Sequence, residues 1–218
     1  MKKRVLISWS GGLDSTALIY KYLQNNWEVD TVYIDIKNNS TKSKSEKNAI
    51  KKILPYLKDY KFKYLGECCD VHIKVNCKDD HISLKQPPIW LFGLYYVSDN
   101  DYDEIAIAYI MNDCAISYID EIKGIWESYN KFTTGFDLPE LKFPFIKKHK
   151  SELLGILPDK IIKHTVFCEY PIKVNNFSNL ENFLTGDYTE CGKCGSCKRR
   201  KFDENNGIPK KYHRFIKG

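Results

Sequence analysis

The segment RVLISWSGGLDS, residues 4–15, decides the fold of this 218-residue chain. Its first half, Arg4–Trp9, is short and mostly apolar, as in a buried strand. Apolar residues at helical spacing follow from Leu13 to Leu23, which predicts a helix directly after the glycine pair. A strand, a glycine turn and a helix in this order predict the first unit of an α/β fold with a largely parallel sheet.

The rest of the chain continues to alternate strand-like and helix-like segments. Further strands are predicted at residues 29–36, 62–65, 71–75, 104–109 and 141–145. Further helices are predicted from residue 43 onward and at residues 90–97, 118–132 and 150–157. Ser43 and Glu46 have the spacing of a capping box at the start of the first of these helices. We expect an α/β domain over residues 1–150 and a small helical lobe over residues 151–218, packed together as one unit.

The loop SGGLDS, residues 10–15, has the composition of a phosphate-binding turn. Paired glycines let the backbone adopt positive φ and bring bare N–H groups close to a ligand. The N-terminus of the following helix adds unpaired N–H donors and the positive end of a dipole. Ser10 and Ser15 can donate hydroxyl groups, and Asp14 can orient the loop or hold Mg²⁺. The Gly-Lys-Ser/Thr of a Walker loop is absent, and the alternative is a structural turn capped by Asp14.

Three of the eight cysteines form a C-x2-C-x2-C knuckle at Cys191, Cys194 and Cys197. Cys168, upstream of the knuckle, can supply a fourth thiolate by loop closure. Four thiolates suit a closed, tetrahedral Zn²⁺ site that serves structure. An iron–sulfur cluster and a disulfide are the alternatives, and a disulfide is disfavoured in a cytosolic chain.

Composition places the chain among ordinary globular proteins. The apolar fraction is 43% and the charged fraction is 28%, which excludes a disordered or collagen-like chain. The sequence has no run of roughly 18 apolar residues, so it is not expected to associate with a membrane. A basic N-terminus is followed by an apolar run too short for a signal peptide, and we therefore expect a cytoplasmic protein.

The excess positive charge is confined to the C-terminal tail. Residues 198–218 hold eight Lys/Arg and two Asp/Glu, which accounts for the whole net charge of +6. Such a tail can contact a phosphate-bearing partner, nucleic acid included. A solvated surface tail is the alternative.

Three motifs together resemble one family, the 7-cyano-7-deazaguanine synthases among the N-type ATP pyrophosphatases. The loop SGGLDS resembles the pyrophosphatase loop of that large group, which splits ATP into AMP and pyrophosphate to adenylate an acceptor. Cys168 followed by CGKCGSCKRR, residues 191–200, resembles the synthases specifically. The run Lys150-Ser151-Glu152 is similar to a Lys-x-Glu that follows a Pro-Leu strand in the family.

The resemblance implies a Rossmann-like α/β domain with a zinc-stapled C-terminal lobe, and it implies use of ATP and Mg²⁺. The implied nucleotide-binding residues are Ser8, Ser10, Gly11, Gly12, Leu13, Asp14, Ser15 and Asp35. The implied catalytic residues are Asp14, Ser15 and Lys150, and Lys150 would neutralise phosphate charge unless it is only a solvated residue at a helix start. The implied zinc ligands are Cys168, Cys191, Cys194 and Cys197.

The middle of the chain departs from the family pattern where the acceptor should bind. The implied substrate-binding residues are Trp90, Asn112, Tyr118 and Asp120. Asn112 stands at a position where we expect an acidic residue, and a neutral amide cannot accept two hydrogen bonds from a guanine-like edge as a carboxylate can. The alternatives are that Trp90 belongs to a buried helix face and that Asp120 is a carboxylate on a helix surface.

The resemblance implies that ATP adenylates the carboxylate of 7-carboxy-7-deazaguanine and that ammonia then displaces AMP. One alternative comes from relatives associated with antiviral defence, which are thought to couple the deazaguanine to a protein amine. Another is a tRNA-modifying enzyme that binds nucleic acid through the basic tail. The expected partners are therefore a deazaguanine with ammonia, or a protein amine acceptor, and we expect a homodimer or a complex with a partner protein.

Overall fold

The computed structural model describes residues 3–36, 40–71, 86–99, 101–111, 113–133, 135, 137–174 and 188–198. Within these residues a five-stranded sheet of order β3-β2-β1-β4-β5 forms the centre of the molecule. Its strands are β1 (Arg4–Ser8), β2 (Glu28–Ile36), β3 (Phe62–Val71), β4 (Glu104–Ala106) and β5 (Glu140–Lys142). Every neighbouring pair in this sheet is parallel. The predicted α/β fold with a parallel sheet is confirmed.

Helices cover both faces of the sheet. They are α1 (Leu13–Gln24), α2 (Ser40–Ile53), α3 (Gln86–Val97), α4 (Ile119–Phe132), α5 (Lys150–Leu154) and α6 (Asp159–Ile162). Short 3₁₀ turns follow α2 at Leu54–Tyr56 and precede α4 at Cys114–Tyr118. A small antiparallel pair, β6 (Ile172–Lys173) and β7 (Tyr188–Thr189), lies near the cysteines in the sequence. Among the described residues, every helix is too short or too polar to cross a membrane.

The central strand β1 contributes to a hydrophobic core on each face, because successive side chains of a strand point to opposite faces. Val5 and Ile7 belong to the core that contains α1, and Leu6 belongs to the core that contains α3. Leu153 of α5 and Ile161 of α6 are buried in the same core as α1. The helices α5 and α6 therefore share a core with the first helix, while the division of residues 151–218 into a separate lobe stays a prediction.

Strand order places a ligand crevice at the carboxyl end of β1. The connection from β1 runs to β2 on one side, whereas β4 lies on its other side. Ligands of open α/β sheets bind at such a switch point, outside the carboxyl ends of the strands. The SGGLDS loop leaves β1 at this point, so the fold presents the loop to the crevice.

The predicted capping box at Ser43 is wrong, because α2 already begins at Ser40. Ser43 and Glu46 therefore lie inside the helix, and Glu46 accepts a hydrogen bond from the Tyr33 hydroxyl at 2.7 Å. Some strand boundaries also differ from those predicted. The strand β3 is continuous to Val71, and residues 72–75 lie outside the described part of the chain. The strand β4 ends at Ala106, and the chain that follows it turns to line the crevice.

Candidate active site and metal centre

The glycine loop packs between α2 and the segment around Val166. Gly11 has a φ of +70°, and a Cβ atom there would lie 2.8 Å from the carbonyl oxygen of Glu46. Gly12 forms a parallel bridge with Val166, whose N–H donates to the Gly11 carbonyl at 3.0 Å. The left-handed backbone and the close approach of α2 both require glycine at position 11.

Replacing Gly11 by alanine is expected to destabilise the protein by about 1–3 kcal/mol, since it adds backbone strain to a steric clash. Gly124 in α4 is the matched control, because a Cβ atom there meets nothing within 4 Å. Gly124→Ala is expected to stabilise the helix by about 0.5–1 kcal/mol. Urea unfolding of both variants measures the two changes, and the prediction fails if Gly11→Ala is as stable as Gly124→Ala.

Two serine hydroxyls converge on the N-terminus of α1. The Ser10 and Ser15 oxygens lie 3.3 Å apart. The Gly12 N–H donates to Ser10 Oγ at 3.4 Å, and Ser15 Oγ donates to the Gly12 carbonyl at 3.4 Å. These distances are long for hydrogen bonds and indicate weak ones. The two hydroxyls and the Gly12 N–H can therefore exchange these hydrogen bonds for ones to an anionic ligand with little loss of free energy.

An ion pair joins the loop to α5. Lys150 Nζ lies 3.1 Å from Asp14 Oδ2, although the two residues are 136 positions apart in the sequence. The other carboxylate oxygen, Asp14 Oδ1, is buried and accepts no hydrogen bond from the described residues. A buried carboxylate oxygen without a partner is costly unless a cation or donor completes it. Hard oxygen donors of this kind suit Mg²⁺.

A cavity of about 300 Å³ opens beside this ion pair, a volume at the lower end for small-molecule sites. The loop and Lys150 contribute polar and charged groups to its wall. The wall also includes apolar and aromatic side chains, among them Ile36, Pro87, Trp90 and Tyr109. The cavity thus combines hydrogen-bond donors and a lysine that suit phosphate with side chains that suit a flat ring.

Most residues predicted to bind nucleotide line this cavity, together with the predicted catalytic Lys150 and the predicted substrate-binding Trp90. Ser8, Trp90 and Lys150 are on its wall, as are the loop residues except Gly11 and Leu13. Leu13 is buried in the core beneath the loop, and Gly11 packs on α2. The roles of these residues in binding or catalysis stay predictions.

Other predicted site residues are not part of the wall. Asp35 is buried next to it and forms an ion pair with Lys47 at 2.7 Å. Tyr118 and Asp120 are exposed at the start of α4. Asn112 lies outside the described residues, whereas the neighbouring Asp113 lines the cavity.

Two charged residues of the wall, Lys42 and Glu169, carried little signal in the sequence, whereas Glu46 stands at a position that resembles the synthase family. Lys42 of α2 forms an ion pair with Glu169 and lies 4.0 Å from Glu46. Burial lowers the pKa of Lys42, but the two carboxylates outweigh burial and raise it overall, so the ammonium stays charged. Burial raises the pKa of Glu46. A lysine four residues before a glutamate is common on exposed helices, so the sequence did not indicate that Lys42 belongs to a site.

The four predicted metal ligands come together. The sulfur atoms of Cys168, Cys191, Cys194 and Cys197 all lie within 4.8 Å of one another. Zn–S bonds of about 2.3 Å in a tetrahedron place the sulfurs about 3.8 Å apart, and the Cys168 and Cys194 sulfurs are 3.9 Å apart. Backbone N–H groups of Lys193 and Cys194 lower the pKa of Cys191 to about 6. Cys191 is therefore ready to act as a thiolate at neutral pH.

The cysteine cluster adjoins the cavity. Cys168, Glu169 and Ser196 all line the cavity wall. Ser196 Oγ donates to Glu169 Oε1 at 3.2 Å, and Glu169 in turn contacts Lys42. A metal held by the cluster would therefore fix one wall of the cavity.

Solved structures with a similar chain course come from two other kinds of protein. A predicted subunit of tRNA methyltransferase from Methanocaldococcus jannaschii is 14% identical, with 81% of each chain covered and a TM-score of 0.43. NMN synthetase from Francisella tularensis is 13% identical, with 97% of this chain and 85% of that chain covered and a TM-score of 0.44.

Sequence comparison gives a more specific relative, although no family model matches the chain. The protein 7-cyano-7-deazaguanine synthase 1 of Sulfurisphaera tokodaii is 25% identical over 209 residues, which cover 91% of each chain. This similarity over nearly the whole chain confirms the predicted resemblance to the 7-cyano-7-deazaguanine synthases.

Proposed function

We propose that this protein is an ATP-dependent ligase that adenylates the carboxylate of a 7-carboxy-7-deazaguanine-type acceptor and transfers the acyl group to ammonia. The observation that carries the proposal is the position of the Asp14–Lys150 pair. The pair lies at the N-terminus of α1, on the wall of a cavity that is also lined by apolar and aromatic side chains. The similarity to a 7-cyano-7-deazaguanine synthase supports the choice of acceptor.

The part of the cavity wall formed by the loop and Lys150 would hold the phosphates of ATP. The free N–H groups at the start of α1 and the hydroxyls of Ser10 and Ser15 would donate to phosphate oxygens. Lys150 would balance the charge that builds on the departing pyrophosphate. Asp14 would keep Lys150 in place through Oδ2. Its unpartnered Oδ1 would hold Mg²⁺, which when bound would neutralise further phosphate charge.

The chemistry solves the problem that a carboxylate oxygen is a poor leaving group. A carboxylate oxygen of the acceptor attacks the α-phosphorus of ATP, and pyrophosphate leaves. Ammonia then attacks the acyl carbon, and AMP leaves with that oxygen to give an amide. A second adenylation, on the amide oxygen, followed by loss of AMP and a proton yields the nitrile. The protein contributes by holding both reactants in one cavity and by excluding water from the acyl-adenylate.

We propose that the cysteine cluster holds a structural Zn²⁺. Four thiolates leave a tetrahedral ion no open position, so such a metal stabilises the fold and takes no part in the reaction. The close approach of all four sulfurs supports a single ion, since an iron–sulfur cluster divides its four cysteines among two or more irons and would hold some of them farther apart.

A protein amine is the second candidate nucleophile, and the exposed aromatic residues of α3 favour it. Tyr96 is 75% exposed and Phe92 is 46% exposed, and the N-terminal residues of the same helix line the cavity. Exposed aromatic side chains beside a site provide a surface on which a peptide can dock. The basic tail that would favour a nucleic-acid substrate lies outside the described residues.

Product analysis by mass spectrometry tests the proposal. The purified protein is incubated with Mg-ATP, 7-carboxy-7-deazaguanine and ammonia, with and without candidate partner proteins. The amide and the nitrile are the expected products. A deazaguanine-sized mass increase on a partner would establish the second candidate instead. If neither forms, and AMP appears only with tRNA or another acid, the deazaguanine assignment is wrong.

A further inference from the structure

Tyr109 stands out in the cavity wall because its hydroxyl is buried without a partner. The residue is 6% exposed, and its Oη forms no hydrogen bond with any described residue. Its ring is held by packing, stacked on Phe143 with centroids 5.8 Å apart and tilted against Trp90 at 6.3 Å. The hydroxyl therefore occupies a fixed place in a rigid aromatic wall.

A buried hydroxyl that makes no hydrogen bond weakens the folded state, and phenylalanine would fill the same volume without this penalty. Such groups occur in native proteins mainly where function requires them. Burial raises the pKa of Tyr109 above its ordinary value, so the phenol keeps its proton at neutral pH and can donate. The hydroxyl is therefore able to donate a hydrogen bond to an acceptor atom of a bound molecule.

The charges of the wall indicate which part of a bound acceptor faces Tyr109. Asp113 lines the wall and accepts a hydrogen bond from the Ile110 N–H at 2.9 Å. Burial raises the pKa of Tyr109 most, and the charge of Asp113 raises it further, so Asp113 lies close to the phenol. The negative charge of Asp113 disfavours the carboxylate of the acceptor at this part of the wall. The neutral ring of the acceptor is therefore the part that faces Tyr109.

We infer that Tyr109 donates its hydroxyl hydrogen to a ring carbonyl oxygen of the acceptor and so selects an oxo-substituted planar heterocycle. The inference deepens the proposed function and rests on it. Tyr109 is a specificity-determining residue in this arrangement, because a ring without the carbonyl leaves the hydroxyl unpaired. Sites built to bond a substrate group discriminate strongly against analogues that lack it.

The test measures binding and stability of Tyr109→Phe. Calorimetric titrations use 7-carboxy-7-deazaguanine and its analogue without the 6-oxo group, with an α,β-methylene analogue of ATP present throughout. The variant is expected to bind the oxo compound about tenfold more weakly than the unaltered protein does. Its affinity for the analogue is expected to stay within about twofold of the affinity of the unaltered protein for that analogue. Its Tm without ligand is expected to rise, because an unpaired buried hydroxyl is removed. A residue with a merely structural role would not weaken binding of one compound while raising Tm.

Tyr95→Phe is the matched control. Tyr95 stacks on Tyr129 with centroids 5.0 Å apart, within the core that also contains Tyr109, and it does not line the cavity. Its replacement is expected to leave both affinities unchanged.

Two outcomes separate this inference from the proposed function. Equal affinity of Tyr109→Phe and the unaltered protein for the oxo compound, or a lower Tm of the variant, overturns the inference alone. If the unaltered protein binds neither compound, the proposed acceptor is wrong and the inference fails with it.

Discussion

Asp14→Ala is expected to lower the rate of pyrophosphate release from ATP by at least about 10³-fold while the protein stays folded. Asp14 Oδ2 contacts Lys150, and Asp14 Oδ1 is the buried oxygen that lacks a partner. The variant therefore loses the group that positions Lys150 and the oxygen proposed for Mg²⁺. The cost to stability is expected to stay below about 1 kcal/mol, because a partly exposed carboxylate in the first turn of a helix contributes no more than that.

A coupled pyrophosphate assay and a thermal melt measure the two quantities on the same preparation. Ser15→Ala is expected to lose activity in the same way, since Ser15 lies in the same loop. Asp59→Ala is the control, because Asp59 is exposed and outside the cavity wall. If Asp14→Ala keeps more than about a tenth of the activity, the carboxylate is not needed for the chemical step.

Cys194→Ser is expected to lose the bound metal and at least about 3 kcal/mol of unfolding free energy, because metal binding energy in such clusters is folding energy. Cys194 is buried, and its sulfur lies among the other three. Without the ion, the segment that carries Glu169 loses its anchor beside Lys42. We expect the affinity for the acceptor to fall along with stability.

Elemental analysis is expected to find one zinc per unaltered chain. The control is Cys114→Ser, since Cys114 is exposed and does not belong to the cluster. It should retain full metal content and an unchanged Tm. Iron in place of zinc, or a Cys194→Ser variant as stable and active as the unaltered protein, would contradict the assignment.

Local patterns in the sequence predicted the fold well. The strand, loop and helix of residues 4–24 depend on apolar spacing and on paired glycines, which are properties of neighbours in the chain. The cysteine cluster was equally visible, because three of its members repeat at a fixed interval in the sequence. Both features were predicted because they depend on residues that are close together in the sequence.

Features that depend on distant contacts were not predictable in this way. Lys42 and Glu169 meet across 127 positions, and no local pattern pairs them. The predicted start of α2 was wrong because it relied on a capping box at Ser43 and Glu46. In the structure the Glu46 carboxylate accepts a hydrogen bond from the Tyr33 hydroxyl of β2 instead. The orphan hydroxyl of Tyr109 is a property of its packed surroundings. The sequence contains fifteen tyrosines and nothing in it distinguishes Tyr109 from the others.

Transfer of oxygen-18 from the acceptor to AMP is the most direct measurement of the proposed reaction. The acceptor, 7-carboxy-7-deazaguanine labelled with oxygen-18 in its carboxylate, is incubated with Mg-ATP, ammonia and the protein. Adenylation of the carboxylate predicts that AMP and pyrophosphate are the products and that each AMP carries one labelled oxygen. Formation of ADP with labelled inorganic phosphate, or of unlabelled AMP, would show that this chain does not join the carboxylate to the α-phosphorus.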